Sequence, residues 1–149
     1  MICSFISCQK ELPSGEAGLR TLVAQIESDR EVFVKSEHVW RSGDVSSVFT
    51  AFLRGNKVFL IEESMTRGES GLSQNRFYFY TDVLFCYREK RTNKDNSVLE
   101  IEVLFDREGK VVAQKQLMDG KTTDLQNYVV PLAKRHGKTL WDLVNKGEE

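Results

Sequence analysis

Apolar and polar residues alternate most clearly between Val48 and Leu117, where β-branched and aromatic segments are separated by short polar turns. The pattern predicts three successive units of strand, tight turn and strand. The units are Ser47–Glu63, Asn75–Lys90 and Leu99–Lys115. Each has a phenylalanine before its turn (Phe52, Phe79 and Phe105), at a spacing of about 26 residues. Either an internal duplication or the self-similarity of any antiparallel meander explains this spacing, and both predict sequential hairpins.

Glycine and polar residues mark the turns and loops of this region. Arg54-Gly55-Asn56 and Arg107-Glu108-Gly109 supply the positive-φ positions that a hairpin turn needs. The polar stretches Thr66–Asn75 and Arg91–Ser97 predict two longer loops, of which the first holds two glycines and is expected to be mobile.

An amphipathic helix is predicted ahead of the hairpins, from Gly15 to about Ser28–Arg30, with Ser14 as its cap. Its apolar stripe has helical spacing and consists of Leu19, Leu22, Val23 and Ile26. The next segment, Glu31–Arg41, changes to the composition of a strand.

A second helix is predicted at the other end of the chain, with Thr123 or Asp124 as its cap and Gly137 as its end. Its apolar stripe consists of Leu125, Tyr128, Val129, Leu132 and His136. Pro131 lies within this stripe, so the helix either kinks there or begins there with proline in its first turn. Thr139 is expected to cap a further short helical turn.

The faces of the strands predict how the sheet is covered. The segments Phe49–Leu53, Val58–Ile61, Phe77–Tyr80 and Val83–Tyr87 are apolar on both faces and should be covered on both sides. In the Leu99–Phe105 strand, Glu100 and Glu102 indicate one wet face at an outer edge of the sheet. We expect the two helices to cover one side, leaving the other to sheet curvature, a partner or a ligand.

These elements predict a small α+β domain over residues 14–149, an antiparallel β-meander of about six to seven strands packed with an N-terminal and a C-terminal helix. Residues 1–13 form an N-terminal tail or the remnant of a signal peptide and lipobox. The segment Phe5-Ile6-Ser7-Cys8 resembles a bacterial lipobox, with Cys8 as the residue that would be lipidated. The alternative is a cytoplasmic N-terminus with two incidental thiols, Cys3 and Cys8.

Composition narrows the functional classes. The chain of 149 residues has a net charge of −1 and a pI near 6.2, which argues against a nucleic-acid partner. Its 40% hydrophobic and 29% charged residues are typical of a globular domain. It contains no apolar run approaching the roughly 18 residues of a membrane span.

No catalytic, cofactor or metal motif emerges. His38 and His136 lack the partners at defined spacing that a metal site needs. Glu62 and Glu63 should point to opposite faces of a strand and therefore cannot act together. Cys86, inside an aromatic strand, is expected to be a buried and unreactive thiol.

One cluster is a candidate for a ligand or partner face. Three tyrosines flanked by two arginines could stack on a ligand, although aromatic packing within the meander is the better explanation. The residues are Tyr78, Tyr80, Tyr87, Arg76 and Arg88.

The segments Arg76–Arg88 and Val103–Val112 resemble a loose group of uncharacterised exported bacterial proteins and lipoproteins with successive aromatic β-hairpins. Here Thr81-Asp82 lacks the glycine usual at that turn. The resemblance implies an exported protein, periplasmic or anchored at the outer membrane, and adds no activity. We therefore expect a non-enzymatic binding domain for a protein or cell-envelope component. The alternative is a cytoplasmic small-ligand-binding or enzyme domain of the cystatin-like or cone-shaped α+β type, with a pocket between helix and curved sheet.

Overall fold

The computed structural model describes residues 11–68 and 71–146. Each strand of its sheet after the first pairs antiparallel with the strand that precedes it in the chain. The elements are α1 (Glu16–Ser28), a 3-10 turn (Arg30–Val32), β1 (Val34–Ser42), β2 (Val45–Arg54), β3 (Lys57–Arg67), β4 (Leu72–Tyr80), β5 (Val83–Thr92), β6 (Val98–Phe105), β7 (Val111–Met118), β8 (Lys121–Thr123) and α2 (Val129–Lys146). The predicted α+β meander with a helix from each chain end is confirmed. The described sheet has eight strands, more than the six to seven predicted, because the short strand β8 follows the last predicted turn.

Each of the three predicted hairpins carries a β-bulge close to its turn. The register shifts at Phe52/Leu53, Tyr78/Phe79 and Leu104/Phe105, at intervals of 26 residues. In each case the returning strand holds one additional residue, and these residues are Phe59, Phe85 and Val112. A bulge places two neighbouring side chains on one face, and all three extra residues pack into the core beneath α1. The recurring sequence unit therefore has a structural counterpart.

The Thr81-Asp82 turn lacks glycine but has the same backbone geometry as the Gly55-Asn56 turn of the preceding hairpin. Gly55 and Asn56 adopt φ values of 58° and 65°, and Thr81 and Asp82 adopt 49° and 66° at the equivalent turn. A left-handed conformation is unfavourable for a β-branched residue. The twist of the hairpin nevertheless imposes this conformation on Thr81 and Asp82. The Asp82 carboxylate forms an ion pair with Lys57 at 2.8 Å.

The helix α1 packs across one face of the sheet, at the end where the bulges lie. Its predicted stripe is confirmed, because Leu19, Leu22, Val23 and Ile26 are all buried. They contact a core that includes Phe52, Leu60, Tyr78, Phe85 and Leu104. The cap is Gly15 rather than Ser14, and it makes no side-chain hydrogen bond.

The helix α2 packs against the opposite face, so the expectation that both helices share one side is wrong. Its buried residues Val129, Ala133 and Leu140 join a second core. That core includes Phe49, Ile61, Phe77, Val103 and Phe105. Each helix has a single apolar stripe, and a sheet that is apolar on both faces needs one such stripe on each side.

Several predicted boundaries of α2 are also wrong. The helix begins at Val129 rather than at Thr123 or Asp124, which puts Pro131 in its first turn, one of the two predicted arrangements. It continues through Gly137 to Lys146. A Cβ atom at Gly137 would lie 3.0 Å from a ring carbon of Phe77, so this glycine permits close packing of helix and sheet.

The predicted loop Thr66–Asn75 consists mostly of strand. β3 continues to Arg67 and β4 begins at Leu72. Exposed and buried positions alternate here as in a strand, but polarity does not follow them: Thr66 and Leu72 are exposed, whereas Met65, Ser73 and Asn75 are buried. The candidate lipidation site, Cys8, lies outside the described residues. Within residues 11–68 and 71–146, neither helix has the length and apolar character needed to span a bilayer.

Candidate binding groove and buried pocket on opposite faces of the sheet

On the α1 side, the half of the sheet away from the bulges is not covered by the helix. Side chains of one cross-strand row are exposed there, namely Val48, Ser64, Gln74, Lys90 and Glu100. Their neighbours along each strand point to the other face and are buried, except for Arg91, which is partly exposed. The uncovered part forms an open groove of about 1110 Å³ that runs from β1 to β7. We call it the α1-side groove.

A row of charges forms the border between this groove and α1. Four residues face each other in sequence across β3 to β6, namely Glu62, Arg76, Arg88 and Glu102. Arg76 Nε lies 3.0 Å from Glu62, and Arg88 Nε lies 2.9 Å from Glu102. We call this row the charged ladder. Each arginine is paired with a carboxylate, so the ladder is locally neutral.

Helix α1 holds the ladder in place from above. Arg20 Nη1 lies 2.7 Å from Glu102, Arg30 pairs with Glu62, and Arg76 Nη1 lies 3.1 Å from Glu27. Burial by itself would raise the pKa of Glu102, but the hydrogen bond from Arg20 and the charge of Arg88 hold it below its ordinary value. Glu102 is thus an ionised structural partner at neutral pH and is poorly suited to act as a general acid.

The prediction of a wet outer edge at Glu102 is wrong. Glu102 is buried, and β6 lies between β5 and β7. Glu100 on the same face is exposed, as predicted. The difference arises because α1 extends over Glu102 and does not reach Glu100.

The predicted aromatic and basic cluster is divided by the sheet. Arg76 and Arg88 line the groove and are at least partly exposed. Tyr78 is buried beneath them, donates a hydrogen bond to Glu27 and lies under the guanidinium of Arg88 at 5.6 Å. Tyr80 is buried in the same core, whereas Tyr87 faces α2. The three buried rings are therefore not available to stack on a ligand in the groove.

On the α2 side, three polar residues lie in one row beneath the helix. Glu63, Asn75 and Glu89 are register partners on β3, β4 and β5, and all are buried. Asn75 Nδ2 donates to Glu63 at 2.9 Å, and Tyr87 Oη donates to Glu89 at 2.7 Å. Arg91 Nη2 lies 2.7 Å from Glu89. Glu62 and Glu63 thus point to opposite faces, as the sequence predicted.

His136 completes this row from above. The middle of α2 places its Nε2 atom 2.7 Å from Glu63 Oε2, and the Trp40 ring meets the imidazole edge-on at 4.7 Å. Burial alone would raise the pKa of Glu63, but the hydrogen bond and charge of His136, with Asn75, lower it below its ordinary value. Sequence reasoning missed this pair because 73 residues separate its members. The only available signal was a histidine on an apolar helical stripe.

A pocket of about 190 Å³ lies between α2 and the sheet beside this row. Its walls are largely aromatic and aliphatic, including Trp40, Phe77, Tyr87, Tyr128 and Leu132. Its polar lining consists of Arg67, Asn75, Glu89, Arg91 and His136. Tyr128 and Leu132 are 54% and 39% exposed and form its rim. We call it the α2 pocket.

Packing accounts for two other candidate residues, Cys86 and His38. Cys86 is buried, as predicted, and burial raises the pKa of its thiol to about 12. The His38 ring stacks on Phe49 with centroids 5.1 Å apart. Within the described parts of the chain, no three His, Cys, Asp or Glu residues are arranged to hold a metal ion.

No protein-family model, curated protein or solved structure matches the chain.

Proposed function

We propose that the protein is a non-catalytic binding module of an exported bacterial protein, and that it holds an extended segment of a partner protein along the α1-side groove. One observation carries this proposal. The same strands that are sealed by α2 on one face present an uncovered row of side chains, Val48 to Glu100, on the other. Exposed concave surface bordered by a rigid element is a common setting for partner recognition.

The dimensions of the groove suit a peptide segment. From β1 to β7 it crosses six strand spacings of about 4.8 Å, or roughly 29 Å in all. An extended chain advances about 3.3 Å per residue, so roughly nine residues would span it.

The charges of the groove favour a partner of mixed character. Lys90 and Glu100 are register partners on its floor, and Arg76 and Arg88 lie beside them between two carboxylates. At one end, Val39 and Val48 form an exposed apolar pair on β1 and β2. Nucleic acid, whose backbone charge is uniformly negative, would meet acidic and basic side chains alternately. A polypeptide with both charges and one apolar anchor fits better.

Site-specific photo-crosslinking in the cells that make the protein tests the groove. A photoreactive residue replaces Gln74 on the groove floor, and a control replaces Lys138 on the outer surface of α2. We expect a discrete adduct from the groove position alone. Adducts of the same kind from both positions, or none at Gln74, would contradict the proposal.

Exchanging the charges of Lys90 and Glu100 gives a variant that tests the groove in the same crosslinking experiment. Lys90→Glu combined with Glu100→Lys preserves the cross-strand pair and the net charge while inverting the pattern that a partner meets. The control is Lys138→Asp with Asp142→Lys, which exchanges an ion pair on α2. We expect the exchange in the groove to reduce the adduct at least about tenfold and the control exchange to leave it unchanged.

The exported location rests on the lipobox-like segment at Cys8 and is tested separately. Mass spectrometry of the membrane fraction should find a diacylglyceryl group on Cys8. A protein recovered with a free Cys8 thiol and an intact residue 1 would contradict the lipid anchor without affecting the groove experiment.

A further inference from the structure

We infer that the outer edge of β1 is an interface for a second copy of this chain. The two β1 strands pair antiparallel about a two-fold axis at Val39, and Glu37 of each copy lies opposite Arg41 of the other. This inference does not rest on the partner proposed for the α1-side groove, because it uses the edge of the sheet rather than the groove floor.

The strand β1 is a long and regular strand at one end of the sheet. It pairs with β2 from Val34 to Ser42 without a register shift, and among the described strands it has a neighbour on one side only. The strand at the other end, β8, has three residues. Edge strands are commonly short, bulged or interrupted by proline, because their outward N–H and C=O groups can pair with another strand. β1 contains no proline and its pairing with β2 shows no bulge, so its edge is suited to accept a strand.

Three residues on the α1-side face of β1 alternate in charge and polarity, namely Glu37, Val39 and Arg41. All three are exposed, and Val39 is 58% exposed. Glu37 and Arg41 are about 13 Å apart along the strand, which is too far for them to pair within one copy. Their register partners on β2, Thr50 and Ser46, are uncharged. Neither charge therefore has a counter-charge opposite it on β2.

The hydrogen-bond pattern restricts how two β1 edges can meet. In an antiparallel sheet, the N–H and C=O groups of an edge strand point outward at alternate residues. In a symmetric pair, outward-facing residues must lie opposite outward-facing residues. The two-fold axis therefore passes through a residue of β1 and not between two residues.

The charges favour an axis at Val39. In that register the two Val39 side chains are direct cross-strand neighbours, and Glu37 and Arg41 form two intermolecular pairs of opposite charge. Direct cross-strand pairs of this kind stabilise a sheet. Because the interface is isologous, each favourable contact occurs twice.

The neighbouring registers lack this complementarity. An axis at His38 would place Lys35 opposite Arg41, and an axis at Glu37 would place two carboxylates opposite each other. An axis at Trp40 would place Arg41 opposite a valine and leave no pair of opposite charges. Like charges directly opposite each other destabilise a sheet. The charges on β1 thus oppose other registers and favour one.

Antiparallel pairing of this kind joins the same faces of the two sheets. Val48 is the register partner of Val39 on β2 and is 60% exposed. In the pair, Val48 and Val39 of both copies form one apolar row, and the two α1-side grooves meet at the axis. The contact is confined to two strand edges, so a small and reversible interface is expected.

Charge reversal tests the pairing in the purified full chain. Analytical ultracentrifugation from about 5 to about 500 μM should show a reversible equilibrium between monomer and dimer. Glu37→Arg and Arg41→Glu each place like charges opposite each other, so each should weaken association at least about tenfold. An equimolar mixture of the two variants should associate like the natural protein, because every arginine then faces a glutamate. Lys138→Glu makes the same change in charge as Arg41→Glu on exposed α2 surface and should have no effect.

A disulfide tests the position of the axis. Val39→Cys brings two thiols to directly opposed positions, and oxidation should link the two copies. Val48→Cys is the matched control, because it is equally exposed but lies about 14 Å from its counterpart, three strand spacings away. A disulfide needs Cα atoms within about 7 Å. Oxidation of the natural protein measures any linkage through Cys3 and Cys8.

A chain that stays monomeric throughout the concentration range would overturn the inference, and this is the result expected if another segment of the chain occupied the edge. A dimer that both charge reversals leave intact would lie on another surface and would also overturn it. Loss of association without recovery in the mixture, or equal linkage of Val39→Cys and Val48→Cys, would overturn the register.

Discussion

On the α1 side of the sheet, Glu62 and Glu102 pair with arginines at the border of an open groove, whereas on the α2 side Glu63 and Glu89 are sealed beneath a helix. Glu62 and Glu63 are neighbours in the chain, yet their side chains are 24% and 0% exposed. The partners of Glu62 are guanidiniums that remain partly hydrated, and the partners of Glu63 are His136 and Asn75. From this contrast we expect the position across the sheet, rather than the residue type, to decide how much a carboxylate contributes to the free energy of unfolding.

The largest expected effect comes from replacing Glu63 and Glu62 one at a time. Glu63→Ala should lower the free energy of unfolding by about 3–5 kcal/mol, because it leaves His136 and Asn75 buried without their partner. Glu62→Ala should cost about 1 kcal/mol, since its ion pairs face the groove. Chemical denaturation measures both values. Similar losses for the two variants would show that the two faces do not differ in this way.

A double variant sharpens the same contrast. Because Glu63 and His136 act as one unit, Glu63→Ala combined with His136→Ala should cost less than the sum of the single changes. Strict additivity would mean that the contact at 2.7 Å between His136 and Glu63 contributes no coupling.

A smaller effect is expected from the close approach of α2 to the sheet. Gly137→Val should lower the free energy of unfolding by about 2 kcal/mol, because its side chain would meet Phe77 and Leu84. The neighbouring change Lys138→Val introduces the same side chain on the exposed surface and should cost less than about 1 kcal/mol. Thermal or chemical unfolding of the pair measures the difference. A well-tolerated Gly137→Val would contradict the tight contact between helix and sheet.

The smallest effect concerns pH and tests both faces together. The folded-state pKa values of Glu63 and Glu102 both lie below their ordinary value of 4.5, so the unfolded chain binds protons more readily than the folded protein. Their contribution to stability is therefore complete above about pH 4.5–5 and is lost as the pH falls through the folded-state values. Unfolding measured from pH 7 to pH 3 should show this decline.

Glu102→Gln supplies the control for that decline. It should reduce the acid-induced loss of stability only in part, because Glu63 still titrates on the α2 side. An unchanged profile in Glu102→Gln would show that the Arg20 and Arg88 contacts do not favour the ionised form of Glu102.

Much of the fold could be predicted because its elements follow from local periodicity. The stripe Leu19 to Ile26 specified α1, and the aromatic segments specified the central hairpins. The register shifts lie beside Phe52, Phe79 and Phe105, but the spacing of these residues predicted only successive hairpins and not the bulges. The predicted loop at Thr66–Asn75 was wrong because β4 buries the polar residues Ser73 and Asn75 and exposes Leu72, so polar composition does not mark a loop there.

The candidate sites were less predictable. Arg76 and Arg88 were identified and do line the groove, but the tyrosines chosen with them are buried. The row Glu63, Asn75 and Glu89 was missed, because a polar residue at an inward strand position looks the same in sequence as one that faces water. Only the strand register shows that these three are neighbours.

The sequence by itself determined the two helical stripes, the antiparallel hairpins and the need to cover both faces of the central strands. These features depend on residues a few positions apart, whose directions are set by the helical or strand repeat. Tertiary structure alone decided that α1 and α2 take opposite faces, that α1 leaves a groove open and that His136 meets Glu63. Those outcomes depend on which distant surfaces bury each other, and no local spacing encodes that choice.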